Sequence, residues 1–325
     1  MIRGNTIPRA AEWPMPTRGN HEIEIPYPAV EDHPNFMGRI PSETLVRGAR
    51  HYNPSICRHR GRVLMAYRVE SYRCVSTVAL CELDSEFRVA RTSVVNLPPE
   101  PGDVHWEDPH LCEAGGRLYL MALYIRLVVP PVCRPRVFEV DPDTFGVVSE
   151  VPMSFGRLGG IEKNWAPMEL ANEKLGFVYS QRPRMVVEIE SMAGHESPGV
   201  PIAPQGATLS GRSCPVRVGI AYLEFVGGWI RIPDQGGRYW FGAQMVRGVP
   251  PYDVLKYVPE PLCWGSEASP TIHNRRPRAG HPACVYPAGA ILEKADVIVS
   301  VGVNDSYCCL MRFNVPELLD RMADA

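Results

Sequence analysis

The chain lacks an excess of either charge: 34 Lys and Arg stand against 36 Asp and Glu, a formal net charge of −2 over 325 residues. A nucleic-acid binder would show a basic stripe, so no nucleic-acid partner is expected. Long apolar runs are missing as well. No stretch approaches the roughly 20 apolar residues that cross a bilayer, which excludes a membrane-spanning helix. The segment from Met1 to Asn20 has none of the apolar core of a secretory signal. A cytoplasmic location follows as the expectation. The 10 cysteines include no CxxC pair, which speaks against a structural zinc site and for reduced thiols buried as small hydrophobes. No GxxxxGK[ST] loop, no GxSxG elbow and no HExxH pair occurs. No metal or cofactor is therefore expected, and nothing excludes a homo-oligomer.

What the chain does have is punctuation. Its 33 prolines and 28 glycines are spread along the length instead of gathering in one linker. Five times, at about 50-residue spacing, a polar cluster is joined to an apolar, strand-like run. The clusters are Asn53-Pro54-Ser55, Glu107-Asp108-Pro109, Glu162-Lys163-Asn164-Trp165, Gly211-Arg212-Ser213 and His281-Pro282, with Asn304-Asp305 closing the last unit. Runs such as Arg62-Val63-Leu64-Met65-Ala66-Tyr67 and Arg117-Leu118-Tyr119-Leu120-Met121-Ala122 read as short strands. Several strands per unit at this period predict an all-β, five-bladed β-propeller forming a single domain over residues 1–325. Residues 1–45 form an N-terminal wrapping segment, 46–313 the blades, and 314–325 a short helix started by Pro316 with Leu318, Leu319 and Met322 as its apolar stripe. Innermost strands are expected to begin near Asn53, Glu107, Lys163, Arg212 and His281 and to aim the clusters at one central funnel. Glu190–Pro204 and Ser266–Gly280 read as long loops, the first of them flanking the funnel mouth.

Each cluster supports two readings. Asp108, beside Glu107 and before Pro109, is either a turn cap or a general acid whose pKa the funnel raises. Trp165 beside Lys163 and Asn164 is either a buried core ring or an apolar platform for a sugar, with hydrogen-bonding groups alongside. Arg182 and Arg184, with Lys163 and Arg212, are either surface cations or an anion site for phosphate. Asp305, at the exit of the apolar strand Ala295–Val303, is either a turn residue or an acceptor for a sugar hydroxyl.

Taken in order, Asn53-Pro54-Ser55 with Tyr67-Arg68, Glu107-Asp108-Pro109, Lys163-Asn164 with Arg182-Pro183, Tyr286-Pro287-Ala288-Gly289 and Gly302-Val303-Asn304-Asp305 resemble glycoside hydrolase family 130 across about residues 50–313. That family comprises five-bladed propellers that are β-mannoside phosphorylases, with some hydrolases. Glu162-Lys163-Asn164-Trp165 also resembles related β-mannosyltransferases. The resemblance implies Asp108 as the general acid, passing its proton through a sugar hydroxyl to the glycosidic oxygen. Asn53, Ser55, Arg68, Glu107, Asn164, Trp165 and Asp305 would bind the sugar. Lys163 and Arg182, with Arg212 and His281, would bind inorganic phosphate or a phosphorylated sugar donor, the co-substrate in place of a cofactor. The implied reaction is reversible, inverting phosphorolysis of a β-mannoside to mannose 1-phosphate. Alternatives are mannosyl transfer from mannose 1-phosphate or GDP-mannose, hydrolysis, and a sugar-binding propeller without catalysis. Two departures stand out: His110 replaces the Arg that usually follows Glu-Asp-Pro, and Phe225-Val226-Gly227 occupies the place of a Tyr-His-Gly.

Overall fold

The computed structural model describes residues 29–71, 75–99, 104–126, 132–153, 162–199, 208–232, 236–265 and 284–325. Its strands fall into five antiparallel sheets. The first blade is Ala49–His59, Arg62–Ser71, Ser76–Leu83 and Val89–Val94; the second is Val104–Ala114, Arg117–Arg126, Val132–Val140 and Val147–Val151. The third runs Ala166–Glu169, Leu175–Gln181, Arg184–Glu188, Gly194–Ser197. The fourth is built on the long hairpin Ala221–Ile232 and Gly236–Arg247, and the fifth on Val285–Glu293, Asp296–Val303 and Tyr307–Asn314. This is the five-bladed propeller expected from the 50-residue period.

Alternating side chains explain why the blades stack. In the strand Arg62–Ser71, Leu64 and Ala66 enter the apolar cluster shared with the second blade, while Met65 and Tyr67 enter the one shared with the fifth. Both faces of a blade are covered, so both parities of the strand are apolar. Five apolar clusters fill the five seams between neighbouring blades. The adjacent cysteines show the same logic: Cys308 lies in the seam with the first blade and Cys309 in the seam with the fourth. All nine described cysteines are free.

The blade boundaries differ from the sequence reading in three places. The strand Phe36–Arg39 from the N-terminal segment pairs with Tyr307–Asn314 and completes the fifth blade, so part of that segment is blade and not wrapping. At the other end the helix is only Val315–Asp320, capped by the Asn314 side chain accepting from the Glu317 N–H, and Ala323–Asp324 then pairs onto the fourth blade. Pairing Phe36–Arg39 and Ala323–Asp324 onto sheet edges satisfies backbone groups that the edges would leave open. The expected loop Glu190–Pro204 contains the outer strand Gly194–Ser197; its end, residues 200–204, and the whole of Ser266–Gly280 lie outside the described residues. No described helix is long and apolar enough to cross a membrane.

Candidate active site

In the first, second and fourth blades the polar clusters mark β-bulges within innermost strands and not the strand starts, whereas Glu162–Trp165 directly precedes the third-blade strand Ala166–Glu169, as expected. In the first blade the register shifts between Tyr52 and Ser55, with Asn53 at φ 51°. In the second it shifts between Glu107 and His110, with Asp108 at φ 44°. Comparable shifts occur between Leu209 and Arg212 in the fourth blade and between Pro287 and Gly289 in the fifth. A bulge inserts an extra residue and re-aims the side chains beside it. An Asx residue tolerates the left-handed backbone this requires, and the following proline withdraws one ladder donor. Asn164, Asn304 and Asp305 are also left-handed, at φ 67°, 51° and 48°. Other left-handed residues, such as Arg60, Glu173 and Lys294, sit in ordinary turns, but the Asx residues of four blades fall in the polar clusters, and strain of this kind recurs at functional sites.

The bulges bring two blades into direct contact: Asn53 Nδ2 donates to Asp108 Oδ1 at 2.7 Å. Arg68, on the second strand of the first blade, donates to Glu107 Oε1 at 2.5 Å, with the two side chains 14% and 22% exposed. Arg68 also lies 3.6 Å from Glu70 Oε2 and over the Tyr52 ring at 4.8 Å. Burial pushes the Glu107 carboxyl up to about 7; Arg68 opposes the shift, and the charges of Asp108, Asp305 and Glu70 add to it. Four carboxylates thus surround one guanidinium. The field of Asp305 and Asp108 also reaches Tyr239 and Cys284, whose ionisation burial already resists. Asp305 follows Asn304, which is buried and accepts from the Cys284 N–H at 2.7 Å.

Beneath these groups the blades are locked together. The Ala288 carbonyl, at the fifth-blade bulge, accepts from Ser55 Oγ at 3.1 Å and from the Cys214 N–H at 3.3 Å, and lies 3.0 Å from His110 Nδ1. His110 Nε2 faces the Tyr286 hydroxyl at 3.1 Å, and Ser55 Oγ also accepts from the Leu111 N–H. One carbonyl therefore gathers the first, second, fourth and fifth blades. A Cβ on Gly302 would stand 2.4 Å from Asn53 Oδ1, and one on Gly289 2.3 Å from Ile56 N, so a side chain at either position would force its first-blade neighbour to shift.

The structure brings Asn53, Arg68, Glu107 and Asp108 together, with Asp305 in electrostatic reach. Ser55 is fully buried and spends its hydroxyl on the blade lock, which removes it from sugar contact. Trp165 is 2% exposed and stacks on Phe177 at 4.6 Å with planes 3° apart; it is a core ring of the third blade and not an open platform. The apolar run after it gave no sign of which way the ring turns. Lys163 is exposed and partly offsets the burial of Cys133, whose thiol also feels Glu107 and Asp108. Arg182 is exposed on a third-blade turn, whereas Arg184 is wholly buried in an ion pair with Glu224 at 2.8 Å. Arg184 is a seam residue and not an anion ligand. Arg212 pairs through its backbone with Val226 at the fourth-blade bulge, and His281 lies outside the described residues. Sequence reasoning missed Tyr52, Glu70 and Tyr239; the first two stand beside Arg68, Tyr52 as its partner across the ladder and Glu70 two residues further along its strand.

No protein-family model matches the chain, and no curated protein matches its sequence. Solved structures do resemble it. MPT-4, a mannose phosphorylase from Leishmania mexicana in complex with phosphate ion, superposes with a TM-score of 0.60 at 15% identity, covering 86% of this chain and 88% of that one. The β-1,2-mannobiose phosphorylase from Listeria innocua, in complex with β-1,2-mannobiose, gives 0.60 at 13% identity and covers 85% and 93%. A structure of the GH130 family of mannoside phosphorylases, which contains glycoside hydrolases that target β-1,2 mannosidic linkages in Candida mannan, gives 0.57 at 11% identity, covering 82% and 84%. The fold is thus the five-bladed propeller class to which the motifs pointed. Within that class, the resemblance to these mannoside phosphorylases is one of fold, over 82% to 86% of the chain.

Proposed function

We propose that this protein is a carbohydrate-active enzyme that transfers a β-mannosyl unit, by reversible, inverting phosphorolysis giving mannose 1-phosphate. The observation that carries the reading is the Asn53–Asp108 hydrogen bond beside the Arg68–Glu107 pair, built on paired bulges in a fold shared with mannoside phosphorylases. Asn53, Arg68 and Asp305 supply the donors and acceptors that a sugar ring with several hydroxyls needs. Asp108 gives its proton, relayed by a sugar hydroxyl, to the glycosidic oxygen as the bond from that oxygen to C1 breaks. A phosphate oxygen attacks C1 from the opposite face, so one carboxylic acid suffices where an inverting hydrolase needs two. Lys163 and Arg182, exposed on the third blade, are the cations assigned to phosphate.

A second reading, hydrolysis, is favoured by two features. Val226 is a buried apolar residue where the phosphorylases carry a histidine, and Glu107, pushed up to about 7, is a second carboxyl able to activate water. Incubation with β-mannobiose with and without phosphate separates the readings. Phosphorolysis predicts mannose 1-phosphate formed only with phosphate, and hydrolysis predicts two reducing sugars in its absence. Elongation of an acceptor from GDP-mannose but not mannose 1-phosphate assigns a transferase. Glycan binding unchanged by Asp108→Asn, with no turnover of any donor, assigns a binding module.

A further inference from the structure

Behind Arg68 stands a buried pair that the sugar chemistry above leaves unused. Tyr52 is 1% exposed and Glu70 is 7% exposed. The Tyr52 hydroxyl donates to Glu70 Oε2, the same oxygen that lies 3.6 Å from Arg68 Nη2. Arg50 reaches the other Glu70 oxygen at 3.8 Å. Tyr52 and Arg68 are partners across the ladder, and Glu70 is partnered with Arg50 two residues further along the same strands. Glu70 and Glu107 therefore approach the same guanidinium nitrogen, Nη2, while the guanidinium's face rests on the Tyr52 ring.

We propose that Tyr52 and Glu70 are positioning residues that divide Arg68 between Glu70 and Glu107 and thereby set whether Glu107 carries a proton. The hydroxyl of Tyr52 occupies Glu70 and limits its hold on Arg68. What remains of the guanidinium's charge is available to Glu107 and, when sugar binds, to a hydroxyl. A buried carboxylate pays for its charge through partners of this kind. The other groups acting on Glu107 are Asp108 on its own strand and Asp305 on the fifth blade, both of which favour the protonated form. Cys133, on the third strand of the second blade, feels Glu107, Asp108 and Lys163. Neither of the two substitutions below touches these groups.

The inference concerns the site read above as the mannosyl site, but its test needs no substrate. Glu107 is followed by carboxyl ¹³C chemical shift against pH in the unliganded full chain, its signal assigned by loss in Glu107→Gln. Glu70→Gln removes a negative charge and frees Arg68 for Glu107, so the Glu107 midpoint falls, by on the order of one pH unit. Tyr52→Phe keeps the ring under Arg68 but releases Glu70 to compete for it, so the midpoint rises. Shifts of opposite sign establish the division of Arg68. Shifts of the same sign, or none in either folded variant, overturn it. If Glu70→Gln fails to fold, the rise in Tyr52→Phe alone decides the matter, and its absence overturns the proposal. Failure of the mannosyl reading would show instead as absent turnover in every donor screen, with these midpoints still displaced in opposite directions.

Discussion

The two halves of the propeller are held together by different means. Where the first, second and fifth blades meet, the junction is closed by short contacts: Asn53 to Asp108, Ser55 and His110 to the Ala288 carbonyl, and Gly302 and Gly289 against the first-blade backbone. Between the third and fourth blades the described apolar seam is sparse, formed by Met168, Leu170, Val178, Val186, Tyr222, Val246, Tyr252 and Val254. There a fully buried Arg184–Glu224 pair, joined by Gln181 and Gln244, supplements it. The first arrangement fixes side chains at the funnel through backbone shape. The second spends buried charge on holding blades and leaves Lys163 and Arg182 exposed. A sugar's hydroxyls demand fixed partners, whereas a mobile anion is served by cations at an open rim. Under the proposed function, the first half would supply a preformed sugar wall and the exposed cations of the third blade the co-substrate side.

The comparison breaks most visibly at Asp108. Asp108→Asn keeps shape and hydrogen-bonding reach but cannot release a proton, so turnover should fall by about 10²–10⁴-fold while sugar binding persists. Steady-state kinetics beside calorimetric binding reads both. In the other half, Arg184→Met strands the buried Glu224 carboxylate and should destabilise the fold by about 3–5 kcal/mol in urea unfolding. Gly302→Ala forces a methyl against Asn53 and should cost about 1–3 kcal/mol, with a larger loss of activity than of stability because the Asn53–Asp108 contact moves. Lys163→Ala, at an exposed position, should raise the KM for phosphate by several-fold to about tenfold and leave sugar affinity unchanged.

A last, smaller effect follows from Glu107. Its carboxyl titrates at about 7 in the fold against 4.5 in an open chain. Between those values the folded state holds the proton and the unfolded state releases it. Stability from this group is therefore present below about pH 4.5 and declines as pH rises towards 7. Glu107→Gln should flatten that decline, as measured by urea midpoints across the window.

Much of this was legible in the chain. The 50-residue period and the alternation in runs such as Arg62–Tyr67 dictated the blades, because a blade covered on both faces needs apolar side chains of both parities. Asn53-Pro54 and Asp108-Pro109 read as strand starts in the sequence; the signal for their bulges lay in residue pairs that suit a left-handed turn followed by a lost donor. Trp165 was not legible: whether a ring faces a funnel or a neighbouring Phe177 depends on a seam formed by another blade. Ser55 looked like a funnel group because its partner, the Ala288 carbonyl, lies 233 residues away. The Phe36–Arg39 strand was hidden for a related reason, since a short edge strand takes its pairing from the far end of the chain.

A crystal structure of Asp108→Asn with a bound β-mannoside tests the central claim most directly. The account predicts one mannosyl ring held by Asn53, Arg68 and Asp305, its glycosidic oxygen within relay distance of residue 108 and its open face towards Lys163. A sugar seated elsewhere, or a ring turned so that residue 108 has no hydroxyl path to the glycosidic oxygen, would contradict it.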